Sequence, residues 1–267
     1  MFGAIIGDVV GSVYEWDNIK TKDFKLFNEK NFFTDDTVMT IAVAKSLIDC
    51  NGNYDNLSEV TINNMVKFGR ENINCGFGGS FIKWIISDNH EPYNSYGNGS
   101  AMRVSPCGMI ANSIGQAIDL AHKVTCISHN HPEGIKGAEA VSVAIYLAKI
   151  GKSKLEIQKY ITDNYYRINF TLDEIRDNYK FDVSCQGSVP QAFEAFFESK
   201  SFEDTIKNAI SIGGDSDTIA AIAGSIAGMY YDDYELITEE TKKYLPNYFI
   251  EIIDEFNNLI NNKSKSL

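Results

Sequence analysis

After Gly214 the chain carries Ile219, Ile222, Ala223, Ile226, Ala227 and Tyr230 at i, i+3, i+4, i+7, i+8 and i+11, a spacing that an α-helix gathers onto one face. A second face of the same segment carries Ala221, Gly224 and Gly228, small residues that let another backbone approach closely despite the propensity cost of glycine in a helix. A helix with two such faces belongs at the centre of a fold. Residues 37–49, with Val38, Ile41, Ala42, Leu47 and Ile48, predict another helix, and 137–150 is apolar almost all round, as a buried helix is. Ser188 with Gln191, and Ser201 with Asp204, read as capping boxes ahead of helices near 189–199 and 202–211, the second stopped by Gly213 and Gly214. Strand signals are weak beside these. The expectation is an all-α chain, a single compact orthogonal multi-helix domain over 1–267, with a frayed Lys-rich end. The polar, Tyr-rich stretch 151–185 reads either as an insertion or as variable, exposed helices.

A chain of 267 residues that is 44% apolar, with 16 Phe and 14 Tyr, buries a sizeable core and lacks the composition of a disordered protein. Its formal net charge of −12 argues against a nucleic-acid backbone or an anionic membrane as partner, because both are bound through basic patches. The five cysteines (Cys50, Cys75, Cys107, Cys126, Cys185) form no C-x-x-C pair and have no clustered His, which argues against a disulfide framework and a zinc site. They are expected as small core residues of a reducing cytoplasm. There is no basic leader and no run near the roughly 18 apolar residues of a membrane span, so a cytoplasmic monomer is expected.

Two acidic clusters open predicted helices: Thr34-Asp35-Asp36-Thr37 and Gly213-Gly214-Asp215-Ser216-Asp217-Thr218. One Asp suffices to cap a helix N-terminus, so capping explains half of each cluster. The surplus is the informative part, since adjacent carboxylates repel and both clusters pair Asp with Thr hydroxyls. Hard oxygen ligands of this kind suit Mg²⁺ or Mn²⁺, and four carboxylates can serve two ions about 3.5 to 4 Å apart. The Gly-Gly turn would let the backbone reverse tightly enough to aim Asp215 and Asp217 inward.

A third constellation is rich in glycine: Gly76-Phe77-Gly78-Gly79-Ser80 and Ser95-Tyr96-Gly97-Asn98-Gly99-Ser100. Such loops occur as plain turns. They also present successive N–H groups suited to a pyrophosphate, with Tyr96 or Phe77 as a flat face for a base.

Together with Gly3-Ala4-Ile5-Ile6-Gly7-Asp8-Val9-Val10-Gly11-Ser12-Val13-Tyr14-Glu15 and Ser128-His129-Asn130-His131-Pro132-Glu133-Gly134, these segments resemble the ADP-ribosylglycohydrolase family over most of the chain. The resemblance implies a di-metal cleft in which Thr34, Asp35, Asp36, Asp215, Asp217 and Thr218 ligate two Mg²⁺ ions, Asp217 bridging them. It implies that Gly78, Gly79, Ser95, Tyr96, Gly97, Asn98, Gly99 and His129 line an ADP-ribose pocket, and that Glu15 rides a mobile loop over the metals. Arg103 is expected to buttress the acidic site as a buried ion pair, and His131 to be a loop residue with a satisfied hydrogen bond.

The activity so implied is hydrolysis of the glycosidic bond between ADP-ribose and an acceptor, an ADP-ribosylated protein side chain or another molecule, with release of ADP-ribose. The two metals would orient the distal ribose and activate water, with Glu15, Asp35 and Asp36 as the catalytic carboxylates. The alternative is a catalytically silent ADP-ribose-binding protein; the full ligand set argues against it. No His is followed by Asp, which disfavours the phosphohydrolases built on that pair, and Met39 stands where the acidic motif of terpenoid synthases needs Asp.

Overall fold

The computed structural model describes residues 1–264. The first half of the chain forms α1 (Phe2–Gly11), α2 (Asp35–Asp49), α3 (Leu57–Glu71), α4 (Gly79–Ile86), α5 (Gly99–Met102), α6 (Ser105–Ile110) and α7 (Ile114–Thr125). The second forms α8 (Pro132–Lys149), α9 (Lys154–Asn164), α10 (Leu172–Ile175), α11 (Cys185–Phe197), α12 (Phe202–Ser211), α13 (Ser216–Tyr230), α14 (Glu235–Thr241) and α15 (Asn247–Ser264). Among the described residues there is no strand, only an isolated bridge between Gly97 and Ser184. No described helix is long and apolar enough to cross a membrane. The tail expected at the Lys-rich end falls largely outside the described residues.

The segment after Gly214 is the central helix, α13, packed on α1, α8, α11 and α12. Its small-residue face receives α1. A Cβ on Gly3 would lie 2.2 Å from the Gly224 carbonyl oxygen, one on Gly7 2.1 Å from that of Ala220, and one on Gly11 2.4 Å from the Cα of Asp217. Glycine every fourth residue on α1 therefore lets the two backbones touch along an antiparallel crossing. The stripe of Ile219, Ile222, Ala223, Ile226 and Ala227 is fully buried in a core shared by helices from both halves of the chain.

The start of α11 differs from the sequence expectation. Ser184, not Ser188, is the N-cap, accepting from the Gly187 amide, and Pro190 lies inside the helix. The Ser188 hydroxyl is committed elsewhere, donating to the Asp182 carbonyl and accepting from Asn98. At α12 Ser201 does cap, accepting from the Asp204 amide, and the chain then turns through Gly213 and Gly214 at φ +66° and +81°. His131 is the N-cap of α8, its Nδ1 accepting from the Glu133 amide.

Candidate active site

The end of α1 and the starts of α2 and α13 converge, because Gly11 abuts Asp217 while Asp8 faces the first turn of α2. Asp8 is fully buried and receives four donors: the Thr34 amide (3.0 Å), the Thr34 hydroxyl (2.7 Å), the Thr37 amide (3.0 Å) and the Thr37 hydroxyl. It does from outside the helix what an N-cap does within it. Nothing in the sequence sets Asp8 apart as a functional residue, although a lone carboxylate on an otherwise apolar helix is a signal that it has a buried partner.

Held in this way, α2 presents Asp35 and Asp36, and α13 presents Asp215, Asp217 and Thr218; all five line one cleft of about 370 Å³. The Asp36 Oδ2 accepts from the Thr218 hydroxyl at 3.0 Å, tying the two helix starts together, while its Oδ1 is buried with no partner. Thr34 stands behind this layer, outside the cleft lining, its hydroxyl shared between Asp8 and the Asp36 amide. Glu15 joins the acidic group: ligand oxygens of Glu15, Asp215 and Asp217 lie within 4.8 Å of one another. This cluster is a possible metal site.

A cation here would relieve the repulsion among these carboxylates. Burial pushes the Glu15 carboxyl up to about 7, with Asp217 and Asp8 adding to the rise. Burial likewise raises Asp215 to about 6, and holds Asp35, Asp36 and Asp217 well above the usual carboxylate range. The Asp215 and Asp217 carboxyls lie within ligand distance of one another, and the charge of Asp215 adds to the rise at Asp217. The chemistry of the donor set and the orphaned Asp36 oxygen both fit hard divalent ions.

The other end of the cleft is built by the glycine-rich loops. Gly78, Gly79, Ser95, Gly97, Asn98, Gly99 and His129 line it. At Gly78 and Gly79 a Cβ would enter open space, and α4 begins there with no side-chain cap, so its first amides remain available to an anion. Asn98 donates to Asp215 Oδ2 at 2.6 Å, linking this end to the acidic one. His129 pairs through Nδ1 with Ser128 at 2.8 Å and lies close to Gly97 and Gly99 with Nε2; burial and Arg103 lower its pKa well below the ordinary value, so the ring is neutral.

Three expectations change. Arg103 makes no ion pair among the described residues; it is buried, donates to the Val124 carbonyl and to Ser128 Oγ, and lies under the Phe81 ring. The α7 C-terminus supplies the negative end of a helix dipole where a carboxylate was expected. Phe77 packs in the core against Phe81 and offers no face to the cleft. Tyr96 is half exposed, edge-on to His131, outside the lining. The aromatics that do line the cleft are Phe81 and Tyr93, and, at the acidic end, Trp16 stacked on Phe181. Phe181 belongs to the stretch after α10 that the sequence leaves unresolved, and only its return to Trp16 gives it a role.

A family model described as ADP-ribosylglycohydrolase matches residues 1–264. ADP-ribosylhydrolase ARH3 of Xenopus tropicalis is 23% identical, with 88% of this chain and 87% of that protein aligned. The human ARH3 is 25% identical over 86% of this chain and 83% of its own. ADP-ribosylarginine hydrolase Tri1 of Pseudomonas putida (strain GB-1) is 24% identical over 86% and 69%. Among solved structures, an ADP-ribosylglycohydrolase-related protein complex has the same fold, with a TM-score of 0.69 at 19% identity over 97% of this chain and 93% of that one. The glycine-mediated crossing, the converging acidic helix starts and the loops opposite them all fall within the matched residues, and the chain belongs to the ADP-ribosylglycohydrolase family of glycosidic-bond hydrolases.

Proposed function

We propose that the protein is a Mg²⁺-dependent hydrolase that releases ADP-ribose from an ADP-ribosylated protein side chain. The observation that carries this reading is the buried Asp36 oxygen left without a partner inside a set of mutually repelling carboxylates, at one end of a cleft whose other end is made of glycine loops. A silent binding protein has no need of such a set, whose burial is costly unless a cation compensates it. The names of ARH3 and Tri1 support the same class of substrate.

In this reading Asp35, Asp36, Asp215, Asp217 and Thr218 would hold two ions, and Thr34, expected among the ligands, supports them from behind through Asp8 and the Asp36 amide. Bound there, Mg²⁺ would supply Lewis acidity and a point of attachment for the ribose hydroxyls. The amides at the start of α4 and the Ser95–Gly99 loop take the pyrophosphate, and His129 offers a neutral ring nitrogen beside it. Tyr96, half exposed between the cleft-lining Ser95 and Gly97, would have to turn from its edge contact with His131 to serve as the platform for adenine. Glu15, partly buried with its carboxylate within 4.8 Å of Asp215 and Asp217, orients water or the ribose against the anomeric carbon and serves as the general acid or base.

The test is hydrolysis of matched peptides carrying serine-linked or arginine-linked ADP-ribose, with free ADP-ribose quantified before and after chelation. Release from either peptide that stops on chelation and returns with Mg²⁺ is the expected result. Asp217→Asn should remove it together with the Mg²⁺-induced rise in melting temperature, a stabilisation near 2.7 kcal/mol at about a hundredfold excess over Kd. Undiminished turnover after exhaustive chelation would refute the reading.

A further inference from the structure

Residues 15–20 leave α1 and cross the acidic end of the cleft as a strap with three fastenings. At the first, Trp16 stacks on Phe181, with ring centroids 5.0 Å apart and planes 23° from parallel. At the third, the Lys20 ammonium donates to the Tyr179 carbonyl at 2.8 Å and to the Ile212 carbonyl at the end of α12. Between them Asn18 grips the peptide groups of Gly214: its Oδ1 accepts from the Gly214 amide at 2.8 Å, and its Nδ2 donates to the Gly214 carbonyl at 3.0 Å. The same Nδ2 is within 2.9 Å of the Glu15 carbonyl and 2.6 Å of that of Tyr14.

The grip falls where the backbone has least support of its own. Gly213 and Gly214 are consecutive left-handed residues, a conformation that glycine adopts without penalty but does not enforce. Asp215, the N-cap of α13, makes no capping bond with its side chain, because its carboxylate faces the cleft and Asn98. A helix start without its own cap leaves the turn to be held from elsewhere. Asn18 holds it, and one side-chain amide thereby spans the two sides of the cluster, with Glu15 on one side and Asp215 and Asp217 on the other.

We propose that Asn18 is a positioning residue that sets the distance of Glu15 from Asp215 and Asp217 by clamping the Gly214 turn to the Glu15 backbone. The inference rests on the reading that these carboxylates hold divalent ions. Side chains that share a ligand must keep their geometry to about half an ångström, so a loosened clamp should weaken both cation binding and turnover.

The experiment is a double-mutant cycle of Asn18→Ala and Glu15→Gln in the full chain. It reads Mn²⁺ affinity by calorimetry, kcat and KM on whichever ADP-ribosyl peptide is turned over, and the Kd of ADP-ribose with saturating Mg²⁺. Asn18→Ala should weaken Mn²⁺ binding by about tenfold and lower kcat by about tenfold or more, with the ADP-ribose Kd within about twofold. In the Glu15→Gln background the same change should cost less than about threefold, because the geometry it protects is already lost. Fully additive losses, or a fall in melting temperature with Mn²⁺ affinity and kcat unchanged, would reduce Asn18 to a structural clamp and overturn the proposal. If Asn18→Ala does not fold, Lys20→Met and Trp16→Ala loosen the outer fastenings and should each raise the Mn²⁺ Kd by about threefold; no change in either would overturn it as well. A wild-type protein that binds Mn²⁺ while the variants match it refutes the clamp alone, whereas a wild type with neither Mn²⁺ binding nor hydrolysis refutes the functional reading beneath it.

Discussion

Asp8 shows how one buried carboxylate can matter without touching a substrate. Its four donors come from Thr34 and Thr37, so it fixes the start of α2 and with it the direction of Asp35 and Asp36. Asp8→Asn keeps one acceptor oxygen but turns an NH₂ toward an amide donor, leaving buried donors face to face at a cost of about 1 to 3 kcal/mol. We expect the melting temperature to fall by a similar amount with and without Mg²⁺, while Mg²⁺ affinity changes by less than about tenfold. Loss of the Mg²⁺ shift as complete as in Asp217→Asn would make Asp8 a ligand instead. The paired aspartates were legible in the sequence because adjacent like charges at a helix start need a reason. Asp8, Trp16 and Phe181 were not: an isolated Asp or aromatic acquires its role only from a partner distant in the chain, and periodicity carries no record of that partner.

At the scale of elements, the crossing of α1 on α13 brings the two acidic helix starts together, and its glycines make a quantitative claim. A Cβ on Gly7 would meet Ala220 backbone at 2.1 Å, which no rotamer change relieves. Gly7→Ala gains about 1 kcal/mol in helix propensity but should lose more to overpacking, typically about 1 to 3 kcal/mol and more where backbone must move. Gly115, exposed within α7, has only the Ser113 hydroxyl near its Cβ position, at 3.9 Å, and Gly115→Ala is the control. Thermal melts should show Gly115→Ala at or above wild type and Gly7→Ala several degrees below it, at about 2 to 4 °C per kcal/mol for a chain of this size. Equal shifts would mean that α1 and α13 are not in backbone contact. The small face of α13 was readable as a place of close approach, though not which helix would fill it. The start of α11 was misread because two serines four residues apart each precede a helical pattern, and only the tertiary commitment of Ser188 to Asp182 and Asn98 decides between them. The stretch from 151 to 185 has weak periodicity because its closing part is shaped by contacts with Trp16 and Gly97 rather than by a helix of its own.

For the whole molecule, the acidic cluster links stability to pH with a sign opposite to that of a salt-bridged surface carboxylate. In the metal-free protein the folded-state pKa values of Glu15 (about 7) and Asp215 (about 6) lie above their ordinary values, and those of Asp35, Asp36 and Asp217 lie well above. Between the unfolded and folded values the folded chain binds more protons than the unfolded one, so stability falls as pH rises through that window. The stabilisation gained by protonating the cluster is complete below about pH 4, near the unfolded carboxylate pKa, where acid effects elsewhere on a chain of net charge −12 begin to compete. We therefore expect the chelated protein to melt higher at pH 5.5 than at pH 8. Cation binding needs the same groups deprotonated, so its affinity runs the other way. Saturating Mg²⁺ should raise the melting temperature strongly at pH 8 and little at pH 5.5, flattening or reversing the metal-free trend. A chelated protein whose melting temperature is the same at both values, or higher at pH 8, would mean that the five carboxylates are already compensated within the fold, and the need for a cation would lose its physical basis.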